Sequence, residues 1–177
     1  MAEFFFKTSV KISLSIANQL LENNFKVIQP CTDCVFKGDP KYAPYSLNSK
    51  YDCVDLYGRS KLLGEVKSDN SVTLRTSFFG EELGTQRGLL SWFLSQNQSI
   101  KGFSKAIYSG LTTLELARAI DKFVIPDQNL KGLYHVSAEP INKFDLLSIV
   151  KDVYAKDIKI LKDETYKINR SLDSTKF

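Results

Sequence analysis

Apolar residues follow two different periods along this chain, and their alternation predicts helices interleaved with short strands. Spacing of three to four positions predicts helices over about residues 8–23, 56–68, 88–96, 112–124 and 142–154. Short apolar runs predict strands at 25–29, 71–77, 99–103, 105–110, 132–137 and 158–161. Strands that alternate with helices of this length indicate βαβ units, so we expect an α/β fold with a parallel, doubly wound sheet.

The segment between the first strand and the second helix has a different composition. Residues 37–55 are rich in Gly, Pro, Asn, Ser and Tyr, which predicts a long loop that closes over a site. Thr112 and Asn142 are expected to cap the helices that follow them. Because no repeat, low-complexity tract or linker interrupts the chain, we expect residues 1–177 to form a single domain.

Composition narrows the class of protein. A hydrophobic content of 43% and an aromatic content of 12% favour a packed globular protein over a disordered one. The net charge of +4 is mild, and bases alternate with acids, so no nucleic acid is expected as a partner. No apolar run approaches the roughly 20 residues of a membrane span, and the N-terminus lacks the features of a signal peptide. We therefore expect no membrane partner, a cytoplasmic location and reduced thiols.

The stretch "PCTDCVF" (30–36) raises the first question of chemistry, because Cys31 and Cys34 have the spacing of redox pairs and of half zinc sites. A zinc site needs four ligands, and the chain offers only one further cysteine, Cys53, and a single histidine, His135. His135 lies in the alternating run "GLYHVS", which favours a strand histidine held by a core hydrogen bond over a metal ligand. A thioredoxin-like pair opens a helix, whereas these cysteines precede a loop. The alternative is that Thr32, between them, carries the chemistry.

A second group of residues points to proton transfer. Tyr57 and Lys61 are four apart on a predicted helix, so their side chains share a face. An ammonium beside a phenol favours the phenolate and lowers the phenol pKa from its usual value near 10. Lysine also donates hydrogen bonds to ribose hydroxyls. Thr32 follows the first predicted strand, where ligands gather in open α/β sheets, and its hydroxyl is placed to orient a reacting carbonyl.

Several motifs in a fixed order extend this pattern over nearly the whole chain. They are "TDCVFKG" (32–38), "DLYGRSKLLGE" (55–65), "LRTSFFGEELG" (74–84), "GLTTLELARAI" (110–120), "GLYHVSAEPINKFDLL" (132–147) and "RSLDSTKF" (170–177). With these motifs the chain resembles the extended short-chain dehydrogenases/reductases, specifically the dTDP-4-dehydrorhamnose reductase branch with its substrate-binding region.

The resemblance implies an enzyme in which NADH or NADPH delivers hydride to the 4-keto carbon of a nucleotide-linked deoxysugar, in the synthesis of cell-surface polysaccharide precursors. It implies that Tyr57 donates the proton to the forming alkoxide, while Lys61 holds the nicotinamide ribose and lowers the pKa of Tyr57. Thr32 would hydrogen-bond the sugar oxygen, and Asp33 and Phe78 would contact the sugar. No metal is implied.

The resemblance also answers the question raised by the cysteines. Thr32 is the predicted working residue, Cys31 stands where serine is usual, and Cys34 occupies a position that often carries Tyr or Cys facing the pocket. Thr112 and Thr113 would help to form that pocket.

One part of the family pattern is absent from this sequence. The family begins with a strand, a Gly-x-x-Gly-x-x-Gly turn and a helix that hold the cofactor pyrophosphate, and no three of the nine glycines have that spacing. We therefore expect a partial Rossmann-like sheet with a small substrate-binding subdomain, lacking the first βαβ units, about 60–70 residues. The end is also expected to be shortened after "RSLDSTKF". Pro30 is unusual in a central strand, since it removes a ladder donor.

Two functions follow from these observations. The first is a nucleotide-sugar 4-keto reductase, inactive as this chain alone and completed by a longer native chain or a separately encoded N-terminal fragment. The second is a non-catalytic sugar-nucleotide-binding or regulatory subunit, or a gene fragment, similar to the regulatory subunit of methionine adenosyltransferase. A homo-oligomer is compatible with both. We predict no measurable NAD(P)H binding by the isolated 177 residues.

Overall fold

The computed structural model describes residues 14–82 and 88–177. The helices in these ranges are α1 (14–22), α2 (Leu56–Leu63), α3 (Leu89–Ser95), α4 (Thr113–Ala119) and α5 (Lys143–Val153). A π-helical turn, Ile120–Val124, extends α4, and two 3-10 turns cover Asp33–Val35 and Pro40–Tyr42. The strands are β1 (Val27–Thr32), β2 (Ser71–Thr76), β3 (Phe78–Phe79), β4 (Ile100–Phe103), β5 (Ala106–Tyr108), β6 (Leu111–Thr112), β7 (Gly132–His135), β8 (Ile141–Asn142), β9 (Ile160–Asp163) and β10 (Ile168–Asn169).

The main sheet is parallel, as the alternation of helices and strands predicts. Its order is β1-β2-β7, and the register places Cys31 beside Arg75 and Arg75 beside His135. Among the described strands β1 forms one edge of this sheet. Pro30 is exposed there, and an edge strand tolerates the loss of a ladder donor.

The remaining strands form three small sheets: β10-β5-β8, β3-β6 and β4-β9. Helices α3 and α5 pack with β4 and β5 around a second apolar core. Its buried residues are Leu90, Phe93, Ile100, Tyr108, Leu146, Leu147, Val150 and Ile158. The carboxyl edge of the main sheet faces this region, which places a cavity between the two parts.

The two faces of the main sheet differ in chemistry. Val72 and Leu74 of β2 pack against α4 and its π-helical turn through Leu116 and Val124. On the opposite face, Arg75 lies over the rings of the long loop, with its guanidinium carbon 4.4 Å from the centre of the Tyr51 ring. One face is therefore an apolar core, and the other buries charge.

Several boundaries differ from the predicted ones. The prediction of a strand at 25–29 is two to three residues too early, because β1 extends as far as its pairing partner β2 and ends at Thr32 itself. Helix α2 ends at Leu63, where Gly64 takes the C-cap position, so residues 64–68 are not helical. Strand β9 spans Ile160–Asp163 instead of residues 158–161, and the two-residue strands β3, β6, β8 and β10 have no counterpart among the predicted strands. The first six residues of the predicted helix 8–23 lie outside the described residues.

Both predicted helix caps are confirmed. The Thr112 hydroxyl accepts a hydrogen bond from the Glu115 amide at 3.1 Å, and the Asn142 side chain accepts one from the Asp145 amide at 2.9 Å. In the part of the chain that the structure describes, every helix is too short or too polar to span a bilayer.

Candidate active site

The candidate site begins at the carboxyl end of β1. Thr32 is the last residue of the strand and the N-cap of the turn Asp33–Val35, so its hydroxyl accepts a hydrogen bond from the Cys34 amide at 3.2 Å. The same hydroxyl donates to Asp33 Oδ1, also at 3.2 Å. Thr32 and Asp33 are 6% and 5% exposed. A threonine that ends one element and caps the next is held in one orientation, with its oxygen at the strand edge where ligands bind in this fold class.

Helix α2 approaches the turn after β1 very closely. Asp55 caps the helix by accepting a hydrogen bond from the Gly58 amide at 2.7 Å. A Cβ atom on Gly58 would lie 2.2 Å from the Cys34 carbonyl oxygen and 2.9 Å from the Cys53 side chain. Only glycine allows this contact, so Gly58 sets the distance between the turn and the neighbouring Tyr57. Sequence reasoning did not assign Gly58, although a glycine in the first turn of a helix is a recognisable anomaly.

Tyr57 lies over the end of β1 and remains open to solvent, with 57% of its surface exposed. Partial burial raises the pKa of Tyr57, a hydrogen bond with the Thr32 side chain opposes this shift, and the charges of Cys34 and Asp33 add to it. The resemblance implies that Lys61 lowers the pKa of Tyr57, whereas in this structure the pKa of Tyr57 is raised. The Lys61 ammonium instead donates a hydrogen bond to the Pro30 carbonyl oxygen at 3.3 Å, on the open edge of β1.

A cavity of about 470 Å³ lies next to this group, between the main sheet and the second core. Its walls are mainly apolar or aromatic and include Trp92, Phe103 and Tyr166. Its charged lining residues are Asp33, Lys101, Lys143 and Arg170, and Cys34 and Tyr108 also face it. Apolar walls with a few polar groups are typical of a small-molecule site.

The charges in the cavity depend on one another. Burial raises the pKa of the Asp33 carboxyl, and the nearby Arg170 guanidinium opposes that shift most strongly. Arg170 donates hydrogen bonds to the Phe36 carbonyl oxygen at 3.0 Å and to Cys34 Sγ at 3.4 Å. Burial also raises the pKa of the Cys34 thiol, and the Asp33 charge adds to this effect. Cys34 is therefore a neutral thiol in the cavity wall at neutral pH, which does not favour a nucleophilic role.

The other cysteine of the "PCTDCVF" stretch lies on the opposite face of β1. The Cys31 thiol contacts Glu65 Oε1 at 3.1 Å, and burial together with the Glu65 charge raises the pKa of Cys31 to about 12. All three cysteines are free, and the described residues contain no cluster of three or more metal-ligating side chains. His135 is 1% exposed, and its Nδ1 lies 3.1 Å from the Tyr45 carbonyl oxygen, which confirms the predicted core hydrogen bond.

The structure brings some of the predicted site residues together and separates others. Thr32, Asp33 and Tyr57 share one edge of the sheet, with Lys61 one helical turn beyond. Phe78 lies in β3 with 52% of its surface exposed, and neither it nor Thr112 and Thr113 is among the described residues that line the cavity.

Three cavity residues were not assigned from the sequence. Tyr108, Lys143 and Arg170 come from β5, α5 and the segment after β10, which are distant in sequence from Asp33. Each lies within or beside one of the sequence motifs, but its distance along the chain does not indicate that it lies near Thr32 and Tyr57. Only the packing of the two parts of the molecule reveals these residues.

The sequence of the chain matches the model of one protein family. The family model described as RmlD substrate binding domain matches residues 6–170. No curated protein sequence matches the chain.

Solved structures share the fold. A dTDP-4-dehydrorhamnose reductase from Bacillus anthracis, solved in complex with NADP, is 20% identical with a TM-score of 0.70, over 85% of this chain and 58% of that one. A hypothetical dTDP-4-dehydrorhamnose reductase from Sulfolobus tokodaii is 24% identical with a TM-score of 0.77, over 98% of this chain and 65% of that one.

A third similar structure is the UDP-N-acetylglucosamine 4-epimerase from Methanobrevibacter ruminantium, in complex with UDP-N-acetylmuramic acid. It is 19% identical with a TM-score of 0.71, over 93% of this chain and 59% of that one. The chain thus spans less than two thirds of the length of each of these proteins. At this level of identity the likeness establishes a partial Rossmann-like α/β fold.

Proposed function

Because the chain belongs to the RmlD substrate binding domain family, we propose that its cavity binds a nucleotide-linked deoxysugar and that Thr32, Tyr57 and Lys61 act in reducing the 4-keto group of that sugar. The observation that best supports this proposal is the placement of Thr32, Asp33 and Tyr57 at one strand edge, beside a cavity of about 470 Å³. The family contains proteins solved with a nicotinamide cofactor.

The fit of a nicotinamide cofactor to this chain is partial. Tyr57 is open to solvent, and Lys61 uses one hydrogen bond at Pro30, so its other donors are available to a ribose hydroxyl. No three glycines in the sequence have the spacing of a pyrophosphate-binding turn. When bound, the cofactor supplies the hydride. Tyr57 and Lys61 of this chain are suited to hold the nicotinamide ribose, whereas this sequence contains no glycine-rich turn to hold the pyrophosphate.

The chain's own residues then account for the proton. The raised pKa of Tyr57 keeps the phenol protonated at neutral pH, which is the form that a proton donor requires. The Thr32 hydroxyl, fixed by its bonds to the turn, orients the sugar oxygen toward that phenol. Asp33 would contact a sugar hydroxyl from the cavity wall, and Phe78, which lies outside the cavity lining, would contact the sugar from β3. Lys61 would hold a hydroxyl of the nicotinamide ribose.

Trp92 provides a direct test of substrate binding, because it is the single tryptophan of the chain and lines the cavity. We expect dTDP-rhamnose, the product of a reductase of this type, to change the Trp92 fluorescence of the 177-residue chain in a saturable way. Asp33→Asn should weaken that binding, whereas Asp69→Asn, at an exposed site outside the cavity, should not. An unchanged spectrum at millimolar dTDP-rhamnose would exclude a nucleotide-sugar site.

A second titration addresses the cofactor. We expect NADPH alone to give no saturable change in its own fluorescence with this chain, since the glycine-rich turn is absent from the sequence. Micromolar affinity would contradict that expectation and show that other residues hold the pyrophosphate.

The absent turn also favours a second candidate function, a non-catalytic sugar-nucleotide-binding or regulatory subunit. The two functions differ in one measurement. A chimera carrying a glycine-rich cofactor-binding segment at its N-terminus should oxidise NADPH in the presence of dTDP-4-dehydrorhamnose if the reductase proposal is correct. Binding of both ligands without any loss of absorbance at 340 nm would favour the non-catalytic function.

A further inference from the structure

The cavity contains a buried hydroxyl that the proposed chemistry does not use. Tyr108 is 5% exposed and lines the cavity, and its hydroxyl has no hydrogen-bond partner among the described residues. Burial raises the pKa of Tyr108, and the Asp33 charge adds to the shift, so the hydroxyl keeps its proton and lies near Asp33. Buried polar groups in proteins are nearly always hydrogen-bonded. An orphan donor beside a cavity therefore indicates a ligand acceptor.

A partly buried ammonium lies against the same side chain. Lys143 Nζ is 3.5 Å from the centre of the Tyr108 ring. Among the described residues, no carboxylate lies within 4.0 Å of this ammonium, and it donates no hydrogen bond. Lys143 is also the first residue of α5, next to the positive end of that helix, where a cation is unfavourable. Burial lowers the pKa of Lys143, and the Asp33 charge opposes this shift without cancelling it.

The charges that line the cavity do not balance. Lys101 is already paired with Asp163 at 2.9 Å. Lys143 and Arg170 then remain against a single carboxylate, Asp33, among the described lining residues. Asp33 Oδ1 is already engaged by the hydroxyl of Thr32 and the thiol of Cys34. One further negative charge would neutralise the cluster, and apolar walls strengthen its attraction.

We propose that Tyr108 and Lys143 form a subsite for an anionic oxygen of the ligand, held beside Asp33. In this subsite the Lys143 ammonium supplies charge, and the Tyr108 hydroxyl donates a hydrogen bond. The proposal rests on the proposed function in one respect, the expectation that the cavity takes a nucleotide sugar. The anionic oxygen then belongs either to the diphosphate or to a carboxylate on the sugar.

Titration of the full chain with chosen probes, followed by Trp92 fluorescence, tests the subsite. The probes are dTDP, uncharged thymidine, and the matched pair UDP-glucuronic acid and UDP-glucose. Charge-assisted hydrogen bonds predict that Lys143→Met weakens anion binding about tenfold or more, and Tyr108→Phe about threefold to tenfold. Lys105→Met, in an exposed turn outside the lining, is the control and should leave affinity unchanged.

The probes separate the two sources of the anion. If the diphosphate is held, dTDP loses affinity in Lys143→Met while thymidine is unaffected. If a carboxylate is held, UDP-glucuronic acid binds more tightly than UDP-glucose to the original chain, and Lys143→Met removes that difference. Either result supports the subsite. Equal affinity of every probe for the original chain and for both variants, or no binding of any probe, overturns it.

Further measurements distinguish a failure of the subsite proposal from a failure of the proposed function. Unchanged circular dichroism of Tyr108→Phe, which loses only an oxygen atom, excludes misfolding as the cause of a lost affinity. Binding of dTDP-rhamnose that is insensitive to Lys143→Met, with no Lys143-dependent preference for UDP-glucuronic acid over UDP-glucose, overturns the subsite and leaves the nucleotide-sugar function standing. Conversely, Lys143-dependent binding of inorganic pyrophosphate without any binding of dTDP-rhamnose supports the subsite and overturns the function.

Discussion

Cys31 and Thr32 are neighbours in β1, yet the pleat of the strand places their side chains in two different environments. The Cys31 side is a closed row, in which Cys31, Arg75 and His135 lie side by side across three strands with Glu65 above them. The Thr32 side opens at the strand edge toward Asp33, Tyr57 and the cavity. The row is rich in ionisable groups, and each of them contacts another part of the fold, although Arg75 Nη1 and His135 Nε2 have no hydrogen-bond partner among the described residues.

The closed row shows how buried charge is accommodated without chemistry. Arg75 Nε and Nη2 donate to the two Glu65 carboxylate oxygens at 2.6 and 2.8 Å, and the two side chains are 0% and 5% exposed. A pair of this kind gives little net stability, but removing one member leaves an uncompensated buried charge. The open edge differs in this respect. Tyr57 is 57% exposed, so removing its hydroxyl leaves no uncompensated charge in the interior. Mutations should therefore affect stability on one side and chemistry on the other.

The largest effect is expected on the open side. In a chimera completed by a cofactor-binding segment, Tyr57→Phe removes the proton donor and should lower kcat roughly a thousandfold, within the usual range for a general acid. NADPH affinity and the urea midpoint should change little, because the phenol is exposed. NADPH oxidation at 340 nm measures the loss, with Tyr42→Phe, at a 56% exposed tyrosine, as the control. A near-normal rate in Tyr57→Phe would refute the assignment of the donor.

On the closed side the expected effect is on stability. Glu65→Gln leaves the buried Arg75 charge uncompensated and should lower the free energy of unfolding by about 3 kcal/mol. Urea denaturation measures this change. The matched control is Asp69→Asn at the exposed Lys131–Asp69 pair, 2.8 Å apart, which should leave the free energy of unfolding nearly unchanged. An equal loss in the free energy of unfolding for the two variants would show that the buried pair is no more important for stability than the exposed pair.

The closed row should also respond to pH. Burial and the Arg75 charge lower the pKa of His135 to about 4, whereas an unfolded histidine has a pKa of about 6.5. The unfolded chain therefore takes up this proton first, so the stabilisation is present above about pH 6.5 and lost as the pH falls toward 4. We expect His135 to account for about 2 kcal/mol of lost stability between about pH 7.5 and pH 5.

Urea denaturation over this pH range isolates the contribution of the histidine. His135→Gln should show a flatter dependence of the free energy of unfolding on pH than the original chain. Identical slopes would show that other groups control the acid response.

The smallest effect is expected at the residue that borders both environments. Cys31→Ala removes the thiol contact with Glu65 and a small buried volume, and should cost about 1 kcal/mol in the free energy of unfolding. In the completed chimera this variant should keep its turnover, since Cys31 is not among the described residues that line the cavity. Loss of turnover with unchanged stability would show that the cysteine, rather than its neighbour Thr32, takes part in the chemistry.

Much of the fold could be predicted from the sequence because local periodicity reports local geometry. The order of helices and strands, the parallel sheet and the caps at Thr112 and Asn142 all follow from spacing within a few residues. The predicted ends of the helices and strands are less accurate. The extent of β1, for example, depends on its pairing with β2 and not on its own apolar run. The pKa of Tyr57 could not be predicted from its spacing to Lys61, because the lysine has an alternative acceptor in Pro30.

The sequence by itself determined the α/β class, the order of the longer elements and the position of Thr32 at the end of the strand that precedes the Tyr57 helix. Only the tertiary structure decided that Tyr108, Lys143 and Arg170 meet Asp33 at one cavity, and that Cys31 is turned away from it. The physical reason is that helix and strand periods constrain neighbours along the chain, whereas burial, charge balance and pKa depend on residues brought together from distant segments.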